Sequence, residues 1–123
     1  MDFLKKIPSP FSTVKVMLQP IERIALLLQP KDEFYNWLAQ ADRKAGSENN
    51  DAFRNDPTVY LIEPFYTLQE KEKFLQDHYL ELWRNELSLW HEEELWPTDM
   101  SLGQFLQWFD LHLHREVFQL HAP

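Results

Sequence analysis

The chain contains no cysteine among its 123 residues. That excludes disulfide staples, thiolate nucleophiles, Cys-ligated zinc and iron–sulfur clusters. Glycine occurs only at Gly46 and Gly103, too sparse for a P-loop or a GxGxxG turn. No run of about 18 apolar residues is present, so no transmembrane helix is expected. Positive charge is scarce in the second half. Residues 1–60 hold eight acids and eight bases, whereas residues 61–123 hold twelve acids and four bases, so the net charge of −8 arises entirely there. Affinity for phosphates needs clustered Lys and Arg, and an anionic membrane surface makes the same demand. Neither nucleic acid nor membrane is an expected partner. An acidic surface keeps small proteins apart in solution, and it can also meet a basic partner.

Apolar and aromatic residues are plentiful. Hydrophobic residues make up 44% of the chain and aromatics 15%, with five Trp and nine Phe, which excludes a disordered chain. The length fits one domain able to bury about two thirds of its unfolded surface. The N-terminus has two lysines, but Pro8 and Pro10 interrupt it and no apolar stretch of signal-peptide length follows. A cytoplasmic location is therefore expected. Residues 1–12 read as an arm, and residues 13–123 as a single domain.

Along the chain, residues 13–18 alternate and are rich in β-formers, which predicts a short strand ended by Pro20. Residues 23–28 form a continuous apolar run after Arg23, the length of a strand buried on both faces. Asp32 can cap a helix. Phe34, Trp37, Leu38 and Ala41 would lie on one face of that helix, with Gly46 as its stop. Residues 45–57 read as a long polar loop that is expected to be mobile, with Phe53 as the candidate anchor if it is not. Residues 58–62 read as a strand closed by Pro64. Thr67 and Glu70 form a capping box that opens a helix running to about Glu94. Ser101 and Gln104 form a second box, for a helix over residues 102–111 with Leu102, Phe105, Leu106 and Phe109 on one face. Residues 115–120 read as a last strand. The order β-β-α-β-α-α-β predicts an α+β fold, a mixed sheet of about four strands with three helices packed on it. The first two strands would form a hairpin through Pro20, Ile21 and Glu22. Residues 23–62 would form a right-handed crossover between parallel strands. Trp37, Trp83, Trp90 and Trp108 would fill the interface between the layers.

Among residues able to carry chemistry, Glu86 breaks the pattern of its helix. At about 100° per residue, Leu75, Tyr79, Leu82, Trp83, Leu87 and Trp90 span one arc, and Glu86 falls inside it, about 20° from Leu75 and Tyr79. A carboxylate on an apolar face needs a hydrogen-bonding or ionic partner, or takes up a proton. It is either a structural group bonded to buried backbone, Tyr or Arg, or a ligand-reading carboxylate or general base between Trp83 and Trp90. A bend that puts it at the rim is the third option. His112 and His114 share a face if they lie on a strand and diverge on a helix. They could ligate Zn, Ni or Cu, or be plain surface residues. His78 and His91 lie about 220° apart on the long helix and do not converge. His91 is followed by Glu92, Glu93 and Glu94, an acidic run at the end of a helix whose dipole disfavours it. That run is either a solvated end or a contact for a basic partner. Trp96, next to Pro97 and outside both helices, is the expected surface tryptophan and interface anchor. Ser9, Ser12, Ser47, Ser88 and Ser101 lack the GxSxG context of a nucleophile elbow.

Glu86-Leu87-x-x-Trp90, Trp96-Pro97 and Phe105-x-x-Trp108-Phe109 together resemble a set of small bacterial proteins without an established activity. The likeness extends over residues 23–120 and includes the strand, proline and Trp-bearing helix between Leu26 and Leu38. It implies a bacterial, cytoplasmic origin and brings no site residues with it.

The expected function is that of a small acidic cytoplasmic protein, a non-catalytic interaction or self-associating module. Glu92, Glu93, Glu94 and Trp96 would meet a basic protein or a second copy. The alternative is a small-molecule-binding or enzymatic pocket using Glu86 with Trp83 and Trp90. A third reading is metal binding through His112 and His114. No cofactor is expected.

Overall fold

The computed structural model describes residues 17–46 and 56–121. The expected arm, residues 13–16 of the first expected strand, most of the polar loop with Phe53, and Ser9, Ser12 and Ser47 lie outside the described residues. The elements are β1 (Met17–Pro20), β2 (Ile24–Pro30), α1 (Asp32–Ala45), β3 (Thr58–Ile62), α2 (Leu68–Ser88), a 3-10 turn (Glu93–Leu95), α3 (Leu102–Trp108), β4 (Phe109–His114) and β5 (Phe118–His121). The class is α+β, as the element pattern predicted.

The helices follow from local chemistry. Asp32 and Glu33 occupy the first turn of α1 and Arg43 and Lys44 the last, matching the helix dipole at both ends. Lys31, not Asp32, takes the N-cap position, and no side chain caps there. Gly46 closes α1 with φ 66° and donates its N–H to the Arg43 and Asp42 carbonyls, a left-handed cap that glycine adopts without steric cost. Thr67 Oγ1 accepts from the Glu70 N–H at 3.0 Å, and Ser101 accepts likewise from Gln104. Both capping boxes therefore start helices where the sequence placed them.

Two helix ends differ from expectation. The long helix stops at Ser88 instead of continuing to Glu94. There the Ser88 hydroxyl donates to the Asn85 carbonyl at 2.8 Å, and His91 is held across the layer by Asp42 at 2.6 Å, which pulls the chain off the helix axis. The next helix ends at Trp108, and Phe109 begins β4 directly. Residues 109–111, expected in that helix, belong to the unforeseen strand β4, and the last strand expected over residues 115–120 is β5, Phe118–His121.

The strands form a three-stranded sheet in the order β3-β2-β4 and a two-stranded ribbon of β1 with β5. All pairings are antiparallel. The expected β1–β2 hairpin is absent, because β1 pairs with β5 across the length of the domain. The expected parallel crossover is also corrected, since Leu28 pairs with Thr58 and Ile24 with Ile62. The handedness rule governs parallel strands only. Here the chain re-enters the sheet at the end where β2 leaves it.

One register detail shapes the surface. Ile21 donates its N–H to the Val117 carbonyl, and Ala25 pairs with His114. Three residues lie between these points on the first strand and two on the second, a one-residue bulge. β1–β5 and β2–β4 thus form one long ribbon whose side-chain alternation flips at Glu22 to Ile24. Beyond the flip, Leu18 pairs with Leu120 and Pro20 with Phe118, while Gln19 pairs with Gln119 and Met17 with His121. One face of the projecting ribbon is apolar and the other largely polar.

All three helices pack on one face of the three-stranded sheet. The core joins Ile24, Leu26 and Leu28 of β2 to Phe34 and Leu38 of α1, Leu75, Leu82, Trp83 and Leu87 of α2, and Phe105 and Trp108 of α3. The apolar run of β2 was expected to be buried on both faces. Its odd-numbered residues, Ala25 and Leu27, are only half-buried. No helix among the described residues is long and apolar enough to cross a membrane.

Candidate functional site

Glu86 lies on the inner face of α2, where the arc of apolar positions placed it, and is 3% exposed. β3 supplies its partners. Thr58 and Tyr60 are two residues apart and so point to the same side of the strand, toward α2. The Tyr60 hydroxyl donates to Glu86 Oε2 at 2.5 Å, and the Thr58 side chain also bonds the carboxylate. Asn85 Nδ2 donates to the Tyr60 oxygen at 2.9 Å, which orients the phenol toward Glu86. Burial pushes the Glu86 carboxyl above the usual carboxylate range, against the pull of its two hydroxyl partners. Burial, reinforced by the bond to Glu86, likewise pushes the Tyr60 hydroxyl far above its ordinary value, so the phenol stays protonated and remains a donor. No cation pairs with Glu86 among the described residues.

Glu86 lines a crevice of about 510 Å³ between the end of α2, the start of β3 and the start of α1. Phe34, Leu89 and Trp90 line it as well, with the exposed Asp56. Of the two tryptophans expected to flank Glu86, Trp90 is at this crevice and Trp83 is not. Trp83 is fully buried against α3, with its ring 5.1 Å from Trp108 and 5.8 Å from Phe105. Its side chain is core, and its indole N–H is the one buried side-chain donor among the described residues without a partner. Side chains at 83 and 86 point about 60° apart around the helix axis, enough to part them between core and crevice.

The remaining candidates divide differently. Trp96 is half-buried, not a projecting anchor; its indole donates to the His91 carbonyl at 2.9 Å and its ring packs against the core. Trp37 donates to the Leu95 carbonyl at 2.8 Å and meets the His91 ring edge-on at 5.9 Å. The His91–Asp42 pair therefore sits inside an aromatic wall that binds the α2 exit to α1. Local sequence could not show this pair, because 49 positions separate its members. Glu92, Glu93 and Glu94 are exposed and make no ion pair among the described residues. They lie beyond the end of α2, in and beside the 3-10 turn, so the expected conflict with the α2 dipole does not arise.

His112 and His114 are on β4, share the outer face of the sheet and are exposed. No group of three His, Asp or Glu residues among the described ones is arranged to hold a metal ion. The neighbours of the two histidines are apolar instead: Leu27 pairs with His112 and Ala25 with His114, and on the other side Leu27 pairs with Val59 and Ala25 with Leu61. Val59 is 54% exposed and Leu61 59%. Leu18, Phe118 and Leu120 on the ribbon are exposed too. Two ion pairs border the sheet face, Arg23 with Glu63 at 3.5 Å and Lys31 with Asp110 at 3.9 Å. Sequence reasoning missed this surface, because it took the β2 run as covered on both sides.

Comparison of the chain with protein-family models, with curated proteins and with solved structures gives no match in any of the three.

Proposed function

We propose that the protein is a non-catalytic, self-associating module whose contact surface is the open face of the three-stranded sheet, extended by the apolar face of the ribbon. The observation that carries this reading is the exposure of apolar side chains on the outer face of the sheet, Val59 and Leu61, and on the ribbon, Leu18, Phe118 and Leu120. Contiguous apolar surface of this kind marks interaction sites, and two antiparallel sheets pack readily face to face. A lone two-stranded ribbon is marginal in water, so a cover over its apolar face stabilises it.

Charge sets the orientation in which a second copy would provide that cover. The chain carries a net −8, so two copies repel over most orientations. At the border of the sheet face Arg23 offsets Glu63 and Lys31 offsets Asp110, while Glu92, Glu93 and Glu94 follow the end of the helix α2. Two acidic chains therefore meet at least cost through their sheets. Sedimentation velocity over a concentration series tests this. The native chain should form a dimer, and Val59→Glu combined with Phe118→Glu should give a monomer with an unchanged circular dichroism spectrum. A native chain that stays monomeric at every concentration refutes the reading.

A further inference from the structure

The crevice beside Glu86 is independent of the sheet face and has its own chemistry. Its volume, about 510 Å³, falls within the range of roughly 300–1,000 Å³ typical of small-molecule sites. Its walls are apolar and aromatic, from Phe34, Leu89 and Trp90, and the charged groups that line it among the described residues are two carboxylates, Glu86 and Asp56. The deeper carboxylate is almost wholly removed from water and is held by hydroxyl groups instead of a cation. Such a group is costly to keep ionised without a counter-charge.

We propose that this crevice binds a small organic cation, an alkyl- or arylammonium compound, with the ammonium group at Glu86 and the hydrocarbon against Trp90 and Phe34. An anionic ligand would face two carboxylates and, among the described residues of the lining, no compensating base. A neutral apolar ligand would fill the walls but leave Glu86 without a counter-charge. A cation meets both needs, since the carboxylate attracts it strongly away from bulk water and the faces of Trp and Phe attract it through their quadrupoles. Binding would also favour the ionised form of Glu86, so a proton leaves as the ligand enters, and affinity rises with pH across the range in which free Glu86 titrates.

Benzylamine and benzyl alcohol, nearly equal in shape and different in charge, make the test. Binding is read from the Trp90 indole resonance, assigned with Trp90→Phe, and from calorimetry in buffers of different ionisation enthalpy. Benzylamine should bind saturably at one site, about tenfold or more tighter than benzyl alcohol, with proton release and with affinity increasing with pH. Glu86→Gln should abolish that preference while leaving the sedimentation behaviour of the chain unchanged. If Glu86→Gln does not fold, Asp56→Asn and Trp90→Leu should each weaken benzylamine selectively. Equal binding of the two probes, tight binding of benzoate, or no perturbation of Trp90 by millimolar benzylamine would overturn the proposal.

Discussion

The two faces of the three-stranded sheet are built from alternate residues of the same strands, yet they have opposite fates. Ile24, Leu26 and Leu28 are sealed under three helices, each 1% exposed or less. Ala25 and Leu27, one position along, are half-buried, with none of the described helices layered over them, and Val59 and Leu61 beside them are exposed. Side-chain alternation in a strand usually pairs an apolar face with a polar one when one side meets water. β2 does not alternate; its five residues from Ile24 to Leu28 are all apolar. A strand of that composition is adapted to cover on both sides. The contrast teaches that the outer face has the chemistry of an interior without its burial, which is the ground for assigning it to a contact between copies.

The comparison can be broken most directly at β2. Leu26→Ala should cost about 2–5 kcal/mol, since it opens a cavity in the sealed layer. Val59→Ala, on the open side, should change the stability of the monomer by about 0.5 kcal/mol or less. Urea denaturation at concentrations below the dimerisation range measures both, and equal losses would mean that the outer face is already covered within one chain.

A smaller effect comes from Glu86, which joins the helix layer to the edge strand β3. Because its folded carboxyl titrates above the usual range, the folded state holds this proton more tightly than the unfolded state does. Stability linked to it is complete at pH values below the ordinary carboxylate range and is lost as pH rises through the raised value. Glu86→Gln should remove that decline, so the variant and the native chain should converge in acid and separate toward neutral pH in favour of Gln. A native melting temperature that rises over this interval, with Gln showing the same slope, would assign the pH dependence elsewhere.

A substitution at a helix cap serves to sharpen the distinction between losing the fold and losing the outer face. Thr67→Ala removes the cap of α2 and should lower stability by about 1 kcal/mol without altering the sedimentation coefficient of the folded protein. A change in association would show that the helix layer contributes to the contact.

Much of the helix layer was legible in the sequence because its signals are local. Thr67 with Glu70 and Ser101 with Gln104 mark helix starts within four residues, and Gly46 marks a stop. The misfit of Glu86 in an apolar arc was legible for the same reason, although its partners were not, since Tyr60 lies on a strand 26 positions away. Strand direction was not legible. The connection from α1 to β3 is long enough for either direction, and nothing local distinguishes them. The pairing of β1 with β5 has no nearby turn to announce it, so proximity in sequence favoured a β1–β2 hairpin. The end of α2 was misread because a helical pattern continues past Ser88, while the His91–Asp42 contact that diverts the chain is tertiary. The crevice required knowing that Trp90 and Trp83 part company around the helix.

The pairing of Met17 with His121 also has a temporal meaning. Two strands so far apart in sequence must close a long loop to pair, and contacts between such distant positions slow folding. During synthesis β1 emerges long before β5 exists, so Met17 and Leu18 wait for their partner while the helices of the middle assemble. The ribbon is then the last part to zip, and the first to fray when the two ends are drawn apart.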